Sequence, residues 1–138
     1  MTHTRRAVLL APALAAAQTP SSSAALPSKS FAFDQLNGRQ SGPIKLYQIL
    51  TGNTHSGYKL DLHESELPAG AVPHAPHRHV HEEMLFVREG ELEVTINGTA
   101  TRCGPGSCAY MASNDLHGYR NSGSAPAKYF VLALGTDA

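Results

Sequence analysis

From residue 44 onward, turn signals recur too often to leave room for helices of normal length. Gly52-Asn53, Pro68-Ala69-Gly70, Arg88-Glu89-Gly90, Asn97-Gly98 and Gly104-Pro105-Gly106 each close a run rich in aliphatic, aromatic or β-branched residues. Gly and Asn accept left-handed backbone and Pro lacks an amide donor, so such clusters end regular elements. The runs between them have strand length: residues 44–50, 58–63, 79–87, 92–96, 99–103, 108–111, 117–121 and 129–134. Within residues 58–63, Tyr58, Leu60 and Leu62 alternate onto one face. Asn97-Gly98 is a two-residue hairpin signal. Short strands joined this tightly predict an all-β domain, a small antiparallel barrel or sandwich.

The first residues read differently. Arg5 and Arg6 precede an apolar run over residues 7–17, which ends in small residues suited to signal-peptidase cleavage before Gln18. The run is too short to span a bilayer as a helix. Thr4-Arg5-Arg6-Ala7-Val8-Leu9 also resembles a twin-arginine signal, with Val8 where Phe is usual. The expected organisation is a signal peptide at 1–17, a disordered leader and N-terminal arm at 18–42, and one barrel domain at 43–138. The expected location is outside the cytoplasm, periplasmic or extracellular, with no membrane attachment after cleavage. Lys and Arg number 11 and Asp and Glu 11, so the balance gives no footprint for nucleic acid. Cys103 and Cys108 flank Gly104-Pro105-Gly106. An oxidising compartment permits a disulfide between them, but the preferred reading is two small apolar core residues.

The chemistry concentrates in residues 70–83, where four of the eight histidines fall: His74, His77, His79 and His81. Residues two apart on a strand share a face, so His77, His79, His81 and Glu83 are in phase. Two imidazoles and one carboxylate on one side of an ion leave other positions open for water, dioxygen or substrate. His81 competes for a ligand position, and a break near Pro76 would decide which side chains converge. A fourth ligand must come from elsewhere, and His117 is the only histidine far downstream.

These residues resemble the cupin superfamily. Its first motif is matched by Gly70, His77-Arg78-His79, Glu83 and Gly90, with one extra residue between Gly70 and His77. The spacing from Glu83 to Gly90 selects this register over one starting at His79, which would put Leu85 in the carboxylate position. The second motif is matched by Gly106, His117 and Asn121, with Ala112 and Asn114 where Pro and Gly are usual. Asn tolerates the left-handed backbone that Gly would supply there. The resemblance covers residues 58–134. It implies a double-stranded β-helix, a jelly-roll-like antiparallel barrel, often a homodimer. It also implies one divalent transition metal (Mn, Fe, Zn, Ni or Cu) held by His77, His79, Glu83 and His117.

Tyr119 shares a face with His117 and lines the expected cavity, with His81, Leu85 and Val87. Glu82 is expected outside the pocket, and His63 and Glu64 are expected at the surface. No Ser-His-Asp order, phosphate-cradling loop or zinc-finger cysteine pattern is present. The expected function is a metal-dependent enzyme on a small molecule. Dioxygenation, isomerisation, lyase chemistry and superoxide dismutation stand open by family analogy. The alternative is an exported, non-catalytic module that captures a sugar or other small ligand.

Overall fold

The computed structural model describes residues 24–138, so the expected signal segment lies outside the described residues. A short 3-10 helix at Phe33–Gln35 is followed by nine strands: β1 Gly38–Ser41, β2 Ile44–Asn53, β3 Lys59–Leu67, β4 Glu82–Glu89, β5 Leu92–Ile96, β6 Thr99–Cys103, β7 Cys108–Met111, β8 His117–Asn121 and β9 Ala127–Gly135. One sheet has the order β1-β2-β3-β9-β4-β7 and the other β6-β5-β8. Every pairing is antiparallel. The result is the all-β antiparallel fold that the turn spacing predicts, in the jelly-roll-like form that the resemblance implies.

Local chemistry explains the corners. Asn97 and Gly98 both take positive φ, 48° and 86°, the backbone of a tight hairpin turn between β5 and β6. At Gly90, φ is +77° and an added Cβ would lie 2.7 Å from the Ala127 Cα, so the bend after β4 needs a residue without a side chain. Asn114 takes φ 63° in the loop before β8, as its substitution for Gly anticipates.

The register defines which face looks inward. Leu46, Ser65, Tyr129 and Val87 form one row across β2, β3, β9 and β4. The next rows are His63, Val131 and Leu85, then Asp61, Ala133 and Glu83. Leu85, Val87, Tyr129 and Val131 belong to the buried core, together with Leu67, Leu92, Val94, Met111 and Tyr119. Leu85 and Val87 therefore lie on the inner face, in the core.

Three local expectations are corrected. In β3 the inward face carries Asp61, His63, Ser65 and Leu67, while Leu60 and Leu62 face out and Tyr58 is 53% exposed before the strand begins. Leu60 and Leu62 do share one face, but pairing with β9 turns the intervening polar residues inward instead. Glu64 is not at the surface: it is 2% exposed, and Arg88 holds it through two guanidinium contacts at 2.9 and 3.3 Å. Cys103 is buried but Cys108 is exposed, and both thiols are free, so only Cys103 fits the core reading.

Residues 24–42, within the stretch assigned to leader and arm, pack on the barrel. The Leu26 amide donates to the Asn53 carbonyl, Phe33 lies 5.0 Å from the Tyr47 ring, and β1 pairs with β2.

Candidate metal centre

The histidine segment does not run as one strand with Glu83. Regular pairing begins at Glu82, and His77 forms an isolated bridge to His117 instead. Pro73 and Pro76 remove two amide donors just upstream, which breaks a continuous ladder. The expected strand at 79–87 therefore starts later, and convergence rests on long-range pairing rather than on the pleat alone.

That pairing lays residues 70–77 along β8. The Gly70 amide donates to the Asn121 carbonyl and the Asn121 amide to the Ala71 carbonyl, at 3.1 and 3.0 Å. Further along, His77 and His117 exchange both backbone bonds, at 2.9 and 3.1 Å. Asn121 anchors the far end. Its side-chain amide donates to the carbonyls of Leu67 and Ala125, at 2.9 and 2.8 Å, and its oxygen accepts from the Gly123 amide. Arg78 donates to the Asn114 carbonyl, and the Asn114 amide donates to the His79 carbonyl, which ties the loop before β8 to the histidines.

The side chains meet in consequence. The rings of His77, His79 and His117 have centroids 4.6 to 5.2 Å apart. Each offers a nitrogen within 4.8 Å of the others. His117 Nδ1 lies 2.9 Å from the Asp115 carbonyl and His79 Nδ1 lies 2.8 Å from the His81 carbonyl. A carbonyl only accepts, so both Nδ1 atoms carry the proton and both Nε2 atoms present a lone pair. Those two Nε2 atoms and His77 Nδ1 are buried without a hydrogen-bond partner. Burial pushes the His77 pKa down, and the neighbouring His74, His117 and His79 add to the fall, which favours the neutral ring that a metal requires.

Glu83 is 9% exposed at the start of β4, with Oε2 3.5 Å from His79 Nε2. It falls in a second group of candidate ligands with His79 and His81, so His79 is common to both groups. His81 stacks on His79 with centroids 3.6 Å apart, and its Nδ1 lies 3.1 Å from Asp137 Oδ1. Tyr119 is buried between His74 and Tyr129, at 5.8 and 5.4 Å between ring centroids. Burial pushes the Tyr119 hydroxyl well above its ordinary pKa, with Tyr129 and Glu83 adding to the rise. Glu82 is exposed, outside the cluster.

The residues fit a metal ion. Three buried ring nitrogens without a protein partner, two of them fixed as lone pairs, and a carboxylate beside them form the donor set of a site for a divalent transition metal.

One interior group was missed by the sequence reading. His63 Nδ1 lies 2.8 Å from Asp61 Oδ1, and Gln48 Nε2 donates to Asp61 Oδ2 at 2.8 Å. His63 was expected at the surface, and no local signal places it on the inward face beside Asp61.

An antiparallel jelly-roll with a histidine cluster on its inner wall defines a small β-barrel protein built to hold an ion or ligand inside. A family model for the cupin domain matches residues 63–133, and the chain belongs to that family. No curated protein sequence matches it. Among solved structures, an RmlC-like cupin from Shewanella frigidimarina superposes with a TM-score of 0.64 at 21% identity, covering 78% of this chain and 92% of that one. A predicted oxalate decarboxylase from Thermotoga maritima gives 0.68 at 14% identity, covering 78% and 99%. The polyketide cyclase RemF from Streptomyces resistomycificus gives 0.65 at 16% identity, covering 78% and 80%. At these identities the likeness is one of fold.

Proposed function

We propose that this cupin is a metal-dependent enzyme acting on a small molecule, with one divalent transition metal held by His77, His79, Glu83 and His117. The observation that carries the reading is the convergence of three buried, unpartnered ring nitrogens on one point of the barrel wall. When bound, the metal supplies Lewis acidity, and redox chemistry where its identity allows. The chain's own residues do the rest. Asp115 and His81 carbonyls fix the two Nε2 lone pairs, and the His77–His117 bridge holds the third ring in register. Leu85 and Val87 share a face of β4 with Glu83, Tyr119 shares a face of β8 with His117, and all three belong to the buried core beside the site. Two structural neighbours, a predicted oxalate decarboxylase and a polyketide cyclase, support an enzyme on a small organic substrate.

The test is elemental analysis of the purified protein, followed by chelation and reloading. About one equivalent of a first-row metal per chain is the expected result. Turnover that disappears on chelation and returns with metal identifies an enzyme; failure of any metal to bind after reloading refutes the reading. An exported location is part of the same proposal and rests on residues 1–17. Fractionation of expressing cells, with N-terminal sequencing for a start near Gln18, tests it. Sedimentation of the loaded protein tests the proposed homodimer.

A further inference from the structure

We propose that His63, oriented by Asp61, is a proton acceptor for a small oxygen-donor ligand bound at the candidate metal centre. The inference rests on the metal reading above and extends it to the opposite wall of the barrel.

The register supplies the first argument. Asp61 pairs with Ala133, which pairs in turn with Glu83, so all three point to the interior in one row. His63, Val131 and Leu85 form the next row, and Val131 and Leu85 are core residues. Asp61 and Glu83 are thus separated by one strand, about 10 Å between backbones. The residue between them is Ala133, whose side chain is a single methyl. A side chain reaching inward from β3 and the metal-bound oxygen of a small ligand at the histidine cluster can meet across such a gap.

The second argument is the hydrogen bonding. Both Asp61 oxygens are engaged, Oδ1 by His63 and Oδ2 by Gln48. Burial alone would raise the Asp61 pKa, but the bonds from His63 and Gln48 outweigh it and hold the carboxyl below its ordinary value. A carboxylate accepts only, so His63 Nδ1 carries the proton and Nε2 is the basic nitrogen. Among the described residues Nε2 has no hydrogen-bond partner. Side-chain exposures of 19% for His63 and 26% for Asp61 leave the pair reachable from solvent while still on the inner face. A base held in one tautomer, on the inward face and free at its reacting atom, is the arrangement that proton abstraction needs.

The third argument is cost. A barrel wall is cheapest when apolar, and Val131, Leu85 and Leu67 show that composition around the pair. A carboxylate, an imidazole and a carboxamide in the same wall carry a desolvation penalty that packing does not require.

The probe is acetohydroxamic acid, which gives up its O–H proton when it binds a metal as the hydroxamate. In the proposed step, that proton passes from the hydroxamate oxygen to His63 Nε2, and the anion's oxygens stay with the metal. Calorimetry of acetohydroxamate binding to the zinc-loaded full chain, repeated in buffers of different ionisation enthalpy at neutral pH, counts protons released to buffer. His63→Gln and Asp61→Asn variants are compared after their zinc content is shown to match wild type. The expected result is release of about one proton by each variant and clearly less by wild type. Equal release by all three overturns the role of His63 and leaves the metal site standing. No zinc-dependent binding heat overturns both. A third readout is nitrogen-detected NMR of the His63 ring: Nδ1 protonated in wild type supports the proposal, and the opposite tautomer refutes it.

Discussion

At the residue scale, the cluster's ring nitrogens are unequal in their freedom. His117 turns a lone pair inward because its other nitrogen donates to the Asp115 carbonyl, whereas His81 has one nitrogen engaged by Asp137 and its ring face laid on His79. Removing His117 should therefore lower bound metal by more than about tenfold, while His81→Ala should cost far less. Metal content after dialysis against a fixed free-metal buffer measures both; equal losses would transfer the ligand role to the second group. Gly90 gives a stability prediction. Alanine there needs a left-handed backbone and meets Ala127 at 2.7 Å, so Gly90→Ala should cost about 2–4 kcal/mol in urea unfolding. Tyr129 gives a pH prediction. Burial pushes its hydroxyl up to about 12, with Glu83 adding to the rise and contacts with Tyr119 and Ser65 opposing it. A folded-state pKa above the unfolded value makes the phenol's contribution complete below the ordinary tyrosine pKa, and the contribution falls as pH rises from about 10 to 12. Denaturant midpoints followed across that window should decline in wild type and decline less in Tyr129→Phe. The ligand types and their spacing were legible residue by residue. The Asp61–His63 pair was not, because a polar inward face opposes the alternation rule and only the β9 partner reveals it.

At the element scale, β8 is held by the histidine segment as well as by β5, and Asn121 closes that arrangement at its end. The side chain is fully buried and satisfies two carbonyls and one amide. Asn121→Ala would leave those groups unpaired in the interior, a loss of about 2–4 kcal/mol. Because the same element positions His117, the variant should also bind metal more weakly, which a competition titration against a chromogenic chelator would read. Strand limits from Leu92 to Asn121 follow the turn residues closely, since Asn97-Gly98 and Gly104-Pro105-Gly106 act locally. The start of β4 was misjudged for the opposite reason. Residues 79–81 have strand-like alternation, but their backbone partners lie elsewhere, and no local signal reports that.

For the molecule as a whole, metal that binds only the folded barrel should stabilise it. At a free concentration a hundredfold above Kd the gain is about 2.7 kcal/mol. For a domain of this size that raises Tm by about 10 °C. Differential scanning calorimetry with and without chelator reads the shift, and coincident transitions would refute a bound ion. The all-β class was written in the turn spacing, because turns are local; the assignment of strands to two sheets was not, because it depends on partners far apart in the chain.

That separation reaches its extreme in β9, the last strand in sequence and yet an inner one, flanked by β3 and β4. During synthesis, a nascent chain lacking residues 127–135 has two half-sheets with raw edges and no completed wall. The barrel cannot close until that strand has left the ribosomal tunnel, and the histidines, all emerged by then, wait on it for their final enclosure. Enclosure of the candidate ligands therefore depends on a strand that contributes none of them.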